Sequence, residues 1–376
     1  MDRVAVSLIV AVEHWQTLRN TSWLEFDVTA LRHNISVVKQ RAPSARILAM
    51  LKANGYGHGA DWVAANISAL ADGYGLARLC EAESLRASQP EARLLLLGTL
   101  IDRSLLERCS ELRLDLVIHR LDDARQLSRT PLPQAINVWL KRNIGMNRLG
   151  MNHEAFVEAH RLLADSPQVA DIIHMSHFSD ADEPSTPVTA EQCQRLCSSS
   201  AELGRVPRSM ANSAAIIAHP YSHFDWVRPG IMLYGDDPTG YLQGGQQLQA
   251  VMQFKSRIIA IKDVETGDGV GYNRRWTAPS PRRIATVGVG YADGYPRHAE
   301  DGTPMVIRGQ RVPLAGRVSM DLLTVDVSTL PDVEVGDEVL LWGHGLPAAE
   351  VASHCQTISY ELFTGISDRV ERHYPD

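Results

Sequence analysis

The sequence predicts an α/β fold followed by a β fold, namely a (β/α)8 barrel of the TIM type and then a mostly β C-terminal domain. Before residue 235, eight short apolar runs bounded by polar residues or glycine alternate with segments of helical character. Continuously apolar strands of this kind are typical of a parallel sheet that helices cover on both sides. After residue 250 the strands alternate or are β-branched and are joined by tight turns, which indicates a separate β domain.

Eight segments of the first part are predicted to be barrel strands. They are residues 46–52, 73–77, 94–98, 114–119, 137–141, 171–178, 209–213 and 227–233. Among the segments between them, Leu31, Ile35 and Val38 have the spacing of one apolar face of a helix. Thr189 with Gln192 fits a capping box at the start of another helix.

Glycine and changes of pattern set the remaining boundaries. Gly204 is predicted to cap the C-terminus of the helix that starts near Thr189. One late helix is predicted at residues 348–362. The predicted domains are an N-terminal extension (1–20), the barrel (21–249) and the mostly β domain (250–376).

Charge and hydropathy argue against two classes of partner. The formal net charge is −7 and no basic cluster stands out, which argues against a nucleic-acid partner. No apolar run reaches the ~18 residues of a membrane span. Residues 4–12 are apolar, but Glu13, His14 and Trp15 follow them where a signal peptide has small residues. We therefore expect a short leader, or a start codon assigned too early, rather than a signal peptide.

The cysteines point to a reducing compartment. The chain has five, no two of them form a CxxC pair, and an odd number of scattered thiols is typical of the cytoplasm. Cys193 and Cys197 lie four residues apart on a predicted helix, but no pair of histidines or cysteines accompanies them. We therefore expect a cytoplasmic protein without a bound metal.

Lys52 is the first candidate functional residue, because it ends the first predicted strand in the stretch LKANGYGHG. The C-terminal end of a barrel strand is where catalytic groups project. Desolvation lowers the pKa of a lysine, and a neutral amine is the form that makes a Schiff base with an aldehyde. The alternative is a lysine whose stem packs at a strand end while its amine reaches water.

Other polar side chains follow the same placement. Lys141, His177, Ser213 and Arg228 lie at or near the ends of other predicted strands, and Arg148 lies in the loop after the fifth. The C-terminal ends of barrel strands meet at one mouth, so these groups converge on it. Scattered solvated charges have no reason to prefer strand ends, which favours a functional site.

Ten blocks of sequence in order resemble the alanine racemases, which are fold-type III pyridoxal-phosphate enzymes. LKANGYGHG resembles the cofactor-lysine motif of that family. The other blocks extend the resemblance from Trp23 to Tyr374, and they are WLEFDVTALRHN, KRNIGMNRLG, MSHFSDAD, MANSAA, FDWVRPGIMLYG, GVGYNRRW, VGVGYADGYPR, AGRVSMD and SYELFTGISDRVERHY. The resemblance implies the barrel-plus-β-domain fold and an isomerase.

The resemblance also implies pyridoxal 5′-phosphate as the cofactor, held by Lys52. Arg228 is implied to face its pyridine nitrogen, where an arginine donates a hydrogen bond but does not give up its proton. His177 is implied to bond to Arg228 and to fix its plane. The residues implied to bind the phosphate side are Tyr56, Asn212, Ser213, Gly230, Ile231 and Tyr360.

For catalysis, the resemblance implies two bases on opposite faces of the bound amino acid, Lys52 and Tyr272. In the family the tyrosine comes from the partner subunit, which implies a homodimer with shared active sites. Substrate binding is implied for Arg148, which also contacts the cofactor, and for Met320, Asp321 and Tyr291.

Lys141 matches a lysine that the family converts to a carbamate bonded to the neighbouring arginine. The family often has Asp followed by Thr or Ser shortly after this lysine, whereas this chain has Asn143 and Ile144. A negative charge and a hydroxyl are therefore missing near Lys141, and the carbamate stays an open alternative.

The predicted reaction is the interconversion of L-alanine and D-alanine, which supplies D-alanine for peptidoglycan of the cell wall or degrades it. One alternative is a racemase of broader range, acting on serine or basic amino acids. A second is a fold-type III decarboxylase, and a third is a non-catalytic pyridoxal-phosphate carrier made of the barrel alone. The β domain with Tyr272 and Met320 argues against the carrier.

Overall fold

Two units make up residues 21–375, the part of the chain that this computed structural model describes. One is Thr29–Gln249, and the other joins residues 21–28 to residues 250–375. The first strand, β1 (Ser22–Phe26), belongs to the second unit, because it pairs antiparallel with a strand that begins at Met252. The predicted start of the barrel at residue 21 is therefore too early. The predicted extension, residues 1–20, lies outside the described residues.

Eight parallel strands form a closed barrel in the first unit. They are β2 (Arg46–Met50), β3 (Gly73–Leu76), β4 (Leu94–Leu96), β5 (Leu114–Ile118), β6 (Ile136–Lys141), β7 (Val169–Met175), β8 (Arg208–Ser209) and β9 (Trp226–Val227). Each overlaps one predicted strand, and β9 closes the barrel by pairing with β2. The predicted (β/α)8 barrel is confirmed. The predicted strands 209–213 and 227–233 are too long, since the apolar residues beyond β8 and β9 form helical turns.

Helices alternate with these strands. They are α1 (Val28–Arg41), α2 (Lys52–Tyr56), α3 (Ala60–Ile67), α4 (Leu79–Ser88), α5 (Arg103–Glu111), α6 (Leu121–Arg129), α7 (His153–Ala164), α8 (Val188–Ala201) and α9 (Ser213–Ala218). In α1 the predicted apolar face of Leu31, Ile35 and Val38 is confirmed, because all three are fully buried. Within residues 21–375, none of the helices combines the length and the apolar character of a membrane span.

The predicted capping box of α8 is wrong. Pro187 precedes this helix and provides no side-chain cap. The Thr189 hydroxyl donates to the Asp180 carbonyl at 3.1 Å, and the Gln192 amide donates to the Ser179 hydroxyl at 2.7 Å. Both side chains therefore hold the loop before the helix instead of capping it.

Polar and aromatic side chains close the N-terminal end of the barrel. The Asp115 carboxylate accepts hydrogen bonds from Arg93 Nε at 2.5 Å and from Trp139 Nε1 at 2.8 Å. The guanidinium groups of Arg46 and Arg93 lie about 5 Å from the ring centre of Trp226, a distance typical of cation–π contacts. Except for Trp139, in the middle of β6, these residues lie at or near strand starts, so this end is filled and the opposite end carries the candidate site.

The second unit is mostly β, as predicted. Its remaining strands are β10 (Met252–Val264), β11 (Gly269–Val270), β12 (Trp276–Thr277), β13 (Arg282–Val287), β14 (Pro304–Ile307), β15 (Gln310–Pro313), β16 (Leu323–Asp326), β17 (Glu338–Trp342) and β18 (Glu371–His373). The long strand β10 pairs with β1, β13 and β17. The single late helix predicted at 348–362 is wrong: α10 (Ala348–His354) and α11 (Ser359–Thr364) are separated near Gln356, whose φ is +51°.

Candidate active site

Lys52 follows β2 at the start of a left-handed backbone turn. Ala53, Asn54 and Tyr56 have φ values of 53°, 54° and 54°, and Gly55 between them has a φ of 63°. The left-handed helical conformation costs roughly 1–2 kcal/mol for each residue with a side chain. The backbone next to Lys52 is therefore strained, and contacts from outside the turn must hold it.

Positive charge surrounds the Lys52 amine. Burial, then the charges of Arg148 and Arg228, lower its pKa, and the carboxylate of Glu81 acts in the opposite direction. The Lys52 amine also lies 5.9 Å from the ring centre of Tyr56. A lowered pKa increases the neutral fraction of the amine, which is the nucleophilic and proton-accepting form.

Lys141, at the end of β6, lies in the same cationic surroundings. Burial, then the charges of Arg228, Arg148 and Lys52, lower its pKa to about 8. Within the described part of the chain, neither Lys141 nor Lys52 forms an ion pair with a carboxylate. Burial and the same four cations hold the pKa of His177 well below its ordinary value, so this imidazole is neutral at neutral pH. The structure thus gathers five of the predicted residues into a mouth suited to an anionic ligand.

Arg228 is held by acceptors that carry no charge. It is only 4% exposed, and its guanidinium donates to the Ser209 hydroxyl at 2.6 Å and to the Ser176 and Met210 carbonyls at 2.6 and 3.1 Å. Nδ1 of His177 lies 3.4 Å from the same group. Burial lowers the pKa of Arg228 to about 10, so it stays protonated at neutral pH. The sequence analysis missed Ser176 and Ser209, although both lie at or just after the ends of barrel strands.

Ser213 and Gly230 form a small polar cradle. The Ser213 hydroxyl accepts hydrogen bonds from the backbone N–H groups of Gly230 at 2.9 Å and Met232 at 3.3 Å. Its own proton finds no acceptor among the described residues, so it remains available for a ligand. A Cβ atom at position 230 would lie 2.5 Å from the Tyr56 hydroxyl oxygen, so any residue other than glycine would require Tyr56 to shift.

The two other residues predicted at this edge have structural contacts of their own. The Asn212 side chain accepts from the Ala215 N–H at 3.0 Å and so caps α9. Ile231 is fully buried and begins a short 3-10 turn, Ile231–Tyr234. Both side chains therefore serve the local fold, and their backbone groups are the parts that a ligand could meet.

Asn143 organises the loop that carries Arg148. Its side-chain oxygen accepts from the N–H groups of Gly145 at 3.1 Å and Asn147 at 3.2 Å, and its amide nitrogen donates to the Asn147 side chain at 2.8 Å. Asn147 itself has a left-handed backbone, with a φ of 55°. The amide that replaces the family's frequent aspartate thus bonds within its own loop.

The remaining predicted residues belong to the second unit. Tyr272 is 67% exposed and Met320 54% exposed, both high values for large apolar side chains. The segments of Tyr291 and Met320 lie side by side, because the Tyr291 N–H donates to the Ser319 carbonyl at 3.0 Å. Asp321 accepts from Arg369 at 2.8 Å. Tyr360, on α11, is half-buried.

The fold and this site define a class of protein, namely a (β/α)8-barrel enzyme with a lysine amine of lowered pKa and a polar cradle at the C-terminal ends of its strands. Residues 26–238 match the family profile of the alanine racemase N-terminal domain, and residues 251–374 match that of the C-terminal domain. The chain belongs to the alanine racemase family, and it is an isomerase. The predicted resemblance and enzyme class are confirmed.

Individual relatives are similar in sequence over nearly the whole chain. The alanine racemase of Stutzerimonas stutzeri strain A1501 is 46% identical over 352 residues, which are 93% of this chain and 97% of the relative. The biosynthetic alanine racemase of Pseudomonas aeruginosa is 43% identical over 349 residues, with the same two coverages.

Solved structures show the same fold. The crystal structure of the biosynthetic alanine racemase from Pseudomonas aeruginosa superposes with a TM-score of 0.91 at 42% identity, covering 95% of this chain and 100% of that one. The alanine racemase from Bartonella henselae, solved with covalently bound pyridoxal phosphate, superposes with a TM-score of 0.87 at 25% identity and the same coverages.

Proposed function

We propose that this chain binds pyridoxal 5′-phosphate covalently through Lys52 and interconverts L-alanine and D-alanine. The observation that carries the proposal is the Lys52 amine at the end of β2, with a lowered pKa among three other cationic side chains. The covalent pyridoxal phosphate of the Bartonella henselae relative supports the choice of cofactor. The biosynthetic role named for the Pseudomonas aeruginosa relative favours supply of D-alanine over its degradation.

The donor set at the barrel mouth fits this cofactor. When bound, pyridoxal phosphate supplies an aldehyde and an electron-withdrawing ring, which together acidify the α-hydrogen of an amino acid. Lys52 would hold the aldehyde. Ser213, with its free hydroxyl proton, would bind the phosphate together with Tyr56.

Arg228 would lie at the ring nitrogen and donate a hydrogen bond to it. Because its pKa stays near 10, the guanidinium keeps its own proton at neutral pH. A decarboxylase of this fold favours a carboxylate at this position, and none of the described partners of Arg228 is a carboxylate. We therefore prefer the racemase to the decarboxylase.

Racemisation requires proton transfer on both faces of the substrate's α-carbon, and we assign these transfers to Lys52 and Tyr272. Each removes or returns a proton as a general base or acid. The exposed surface that carries Tyr272, Met320 and Tyr291 suits a contribution from a partner subunit, with the Met320 backbone N–H and Arg148 binding the substrate carboxylate. We propose a homodimer on this basis.

The purified protein tests the cofactor assignment directly. After incubation with pyridoxal phosphate we expect a visible absorption band, and after borohydride reduction a mass increase on the peptide that contains Lys52. A racemisation assay over alanine, serine and lysine then measures substrate range. A protein that stays colourless and unmodified contradicts the proposal, and equal turnover of the three amino acids replaces it with a broader racemase.

Lys141 provides a separate prediction about stability. Its folded pKa of about 8 lies below the ordinary 10.5, so the unfolded chain binds the proton more tightly. Burying the protonated Lys141 amine destabilises the folded protein. This cost is complete below pH 8, shrinks between pH 8 and 10.5, and is absent above pH 10.5. In buffer free of CO2 at pH 7, Lys141→Met should raise the free energy of unfolding by about 1–3 kcal/mol.

Urea unfolding with and without bicarbonate measures both the penalty and its proposed relief. The neutral amine of Lys141 can attack CO2, forming an N–C bond and releasing one proton, and the resulting carbamate would pair with Arg148. Bicarbonate should therefore stabilise the unmutated protein and leave Lys141→Met unchanged. The exposed Lys262 serves as a control. Lys262→Met should change neither the free energy of unfolding nor its increase with bicarbonate. Equal responses of all three proteins would contradict a carbamate at Lys141.

A further inference from the structure

Glu81, on α4, connects the ends of two neighbouring barrel strands. One oxygen of its carboxylate accepts a hydrogen bond from the Ala53 N–H at 2.6 Å, next to Lys52. The other accepts from the N–H groups of Ala77 at 2.8 Å and Arg78 at 3.0 Å, which directly follow β3. One side chain thus binds three backbone donors from the loops after β2 and β3.

The bond to Ala53 lies where the backbone most needs support. Ala53 is exposed and left-handed, and its side chain has no polar atom that could stabilise this conformation locally. The next residue, Asn54, is stabilised by its own side chain, whose oxygen accepts a hydrogen bond from the Ala60 N–H at 2.9 Å. Glu81 is the side chain from another element that holds the first residue of the turn.

Glu81 is also the acidic group that acts on the Lys52 amine. The other charged or titratable groups that face Lys52 are Arg148, Arg228, Lys141 and His177, with the ring of Tyr56 5.9 Å away. Arg148, Arg228, Lys141 and His177 are cations or neutral nitrogen bases. Glu81 is therefore placed to limit the loss of the Lys52 proton that its neighbours promote.

We propose that Glu81 is a positioning residue for Lys52, which fixes the backbone that aims the amine and places a carboxylate next to that backbone. The inference rests on the proposed role of Lys52 as the cofactor lysine. No capping-box sequence marks Glu81, since Arg78 occupies the N-cap position where serine or threonine is usual.

Glu81→Gln tests the backbone role. Glutamine keeps the size of the side chain but replaces one acceptor oxygen with a donor, so at least one of the two loops loses its bond. Titration of the apoenzyme with pyridoxal phosphate should give a dissociation constant raised on the order of tenfold. Glu83→Gln is the matched control: Glu83 lies on the same helix, pairs with Arg108 at 2.8 Å and should leave the dissociation constant unchanged. Equal affinity of the two variants contradicts this role.

Competitive acetylation of the apoenzyme with acetic anhydride tests the electrostatic role, because the pH dependence of labelling reports the Lys52 pKa without any cofactor. Glu81→Gln should lower this midpoint by about 0.5–1 pH unit. Glu81→Asp keeps the charge but shortens the reach, so it should weaken cofactor binding and largely keep the midpoint. A midpoint identical in Glu81→Gln and Glu83→Gln overturns the inference, since a merely structural residue would not move it.

These two readouts separate the inference from the proposed function. If unmutated protein forms no borohydride-stable adduct at Lys52, the cofactor assignment fails, while the acetylation midpoint still reports whether Glu81 acts on Lys52. Circular dichroism of each variant establishes that it is folded, and Glu81→Asp provides the comparison if Glu81→Gln does not fold.

Discussion

Lys52→Ala is expected to reduce alanine racemisation by about 10³-fold or more, because it removes the proposed cofactor anchor and one of two proton-transfer groups. The variant should also lose the visible band and the borohydride-stable mass increase. Racemisation is followed by circular dichroism of the amino acid, and cofactor attachment by mass spectrometry.

Two comparisons make this result specific to the amine. Lys262→Ala removes an exposed lysine of β10 and should keep full activity. Added methylamine should restore part of the activity of Lys52→Ala, since the cavity left at position 52 can admit a small amine. Retention of more than a few per cent of activity without added amine would count against Lys52 as the cofactor lysine.

Tyr272→Phe is expected to lower racemisation by about 10²–10⁴-fold, the range for loss of a general acid–base group. The side chain is 67% exposed, so removing its hydroxyl should not unfold the protein. Cofactor attachment at Lys52 should be unaffected. The decisive measurement is exchange of the α-hydrogen in deuterated water, started separately from each enantiomer, and exchange should be lost from one enantiomer only.

Tyr241→Phe is the matched control, because Tyr241 is similarly exposed at 56% and has no proposed role. Persistence of exchange at equal rates from both enantiomers in Tyr272→Phe would show that the two-base assignment is wrong.

The shared site can be tested with the same variants. Mixed Lys52→Ala and Tyr272→Phe subunits should recover up to about one quarter of the activity through hybrid dimers. Absence of recovery despite subunit exchange contradicts sharing.

Much of the fold and of the site could be predicted from the sequence, because the signals are local. The spacing of Leu31, Ile35 and Val38 directly encodes a buried helix face. Apolar runs bounded by glycine and polar residues located all eight barrel strands, since parallel strands are buried on both sides. Strand ends in a barrel share one mouth, so the placement of Lys52 and Lys141 in the sequence already predicted a common site.

Other features could not be predicted, because they depend on partners that only folding brings together. β1 pairs with β10, more than 200 residues away, and nothing in its five residues identifies that partner. The predicted cap at Thr189 failed because its hydroxyl found a carbonyl of the preceding loop. The hydrogen bond between Ala53, in the turn after Lys52, and Glu81 has no signature in the sequence.

The sequence by itself determined which residues are apolar, which chemical groups follow each strand, and therefore the class of fold and the location of the Lys52 amine. Only the tertiary structure decided how each group is held, such as Arg228 by neutral acceptors, Asn143 within its own loop and Glu81 across two strand ends. The physical reason is the separation along the chain. Periodicity and strand ends depend on neighbouring residues, whereas these hydrogen-bond partners come close to each other only after the chain has folded into a barrel.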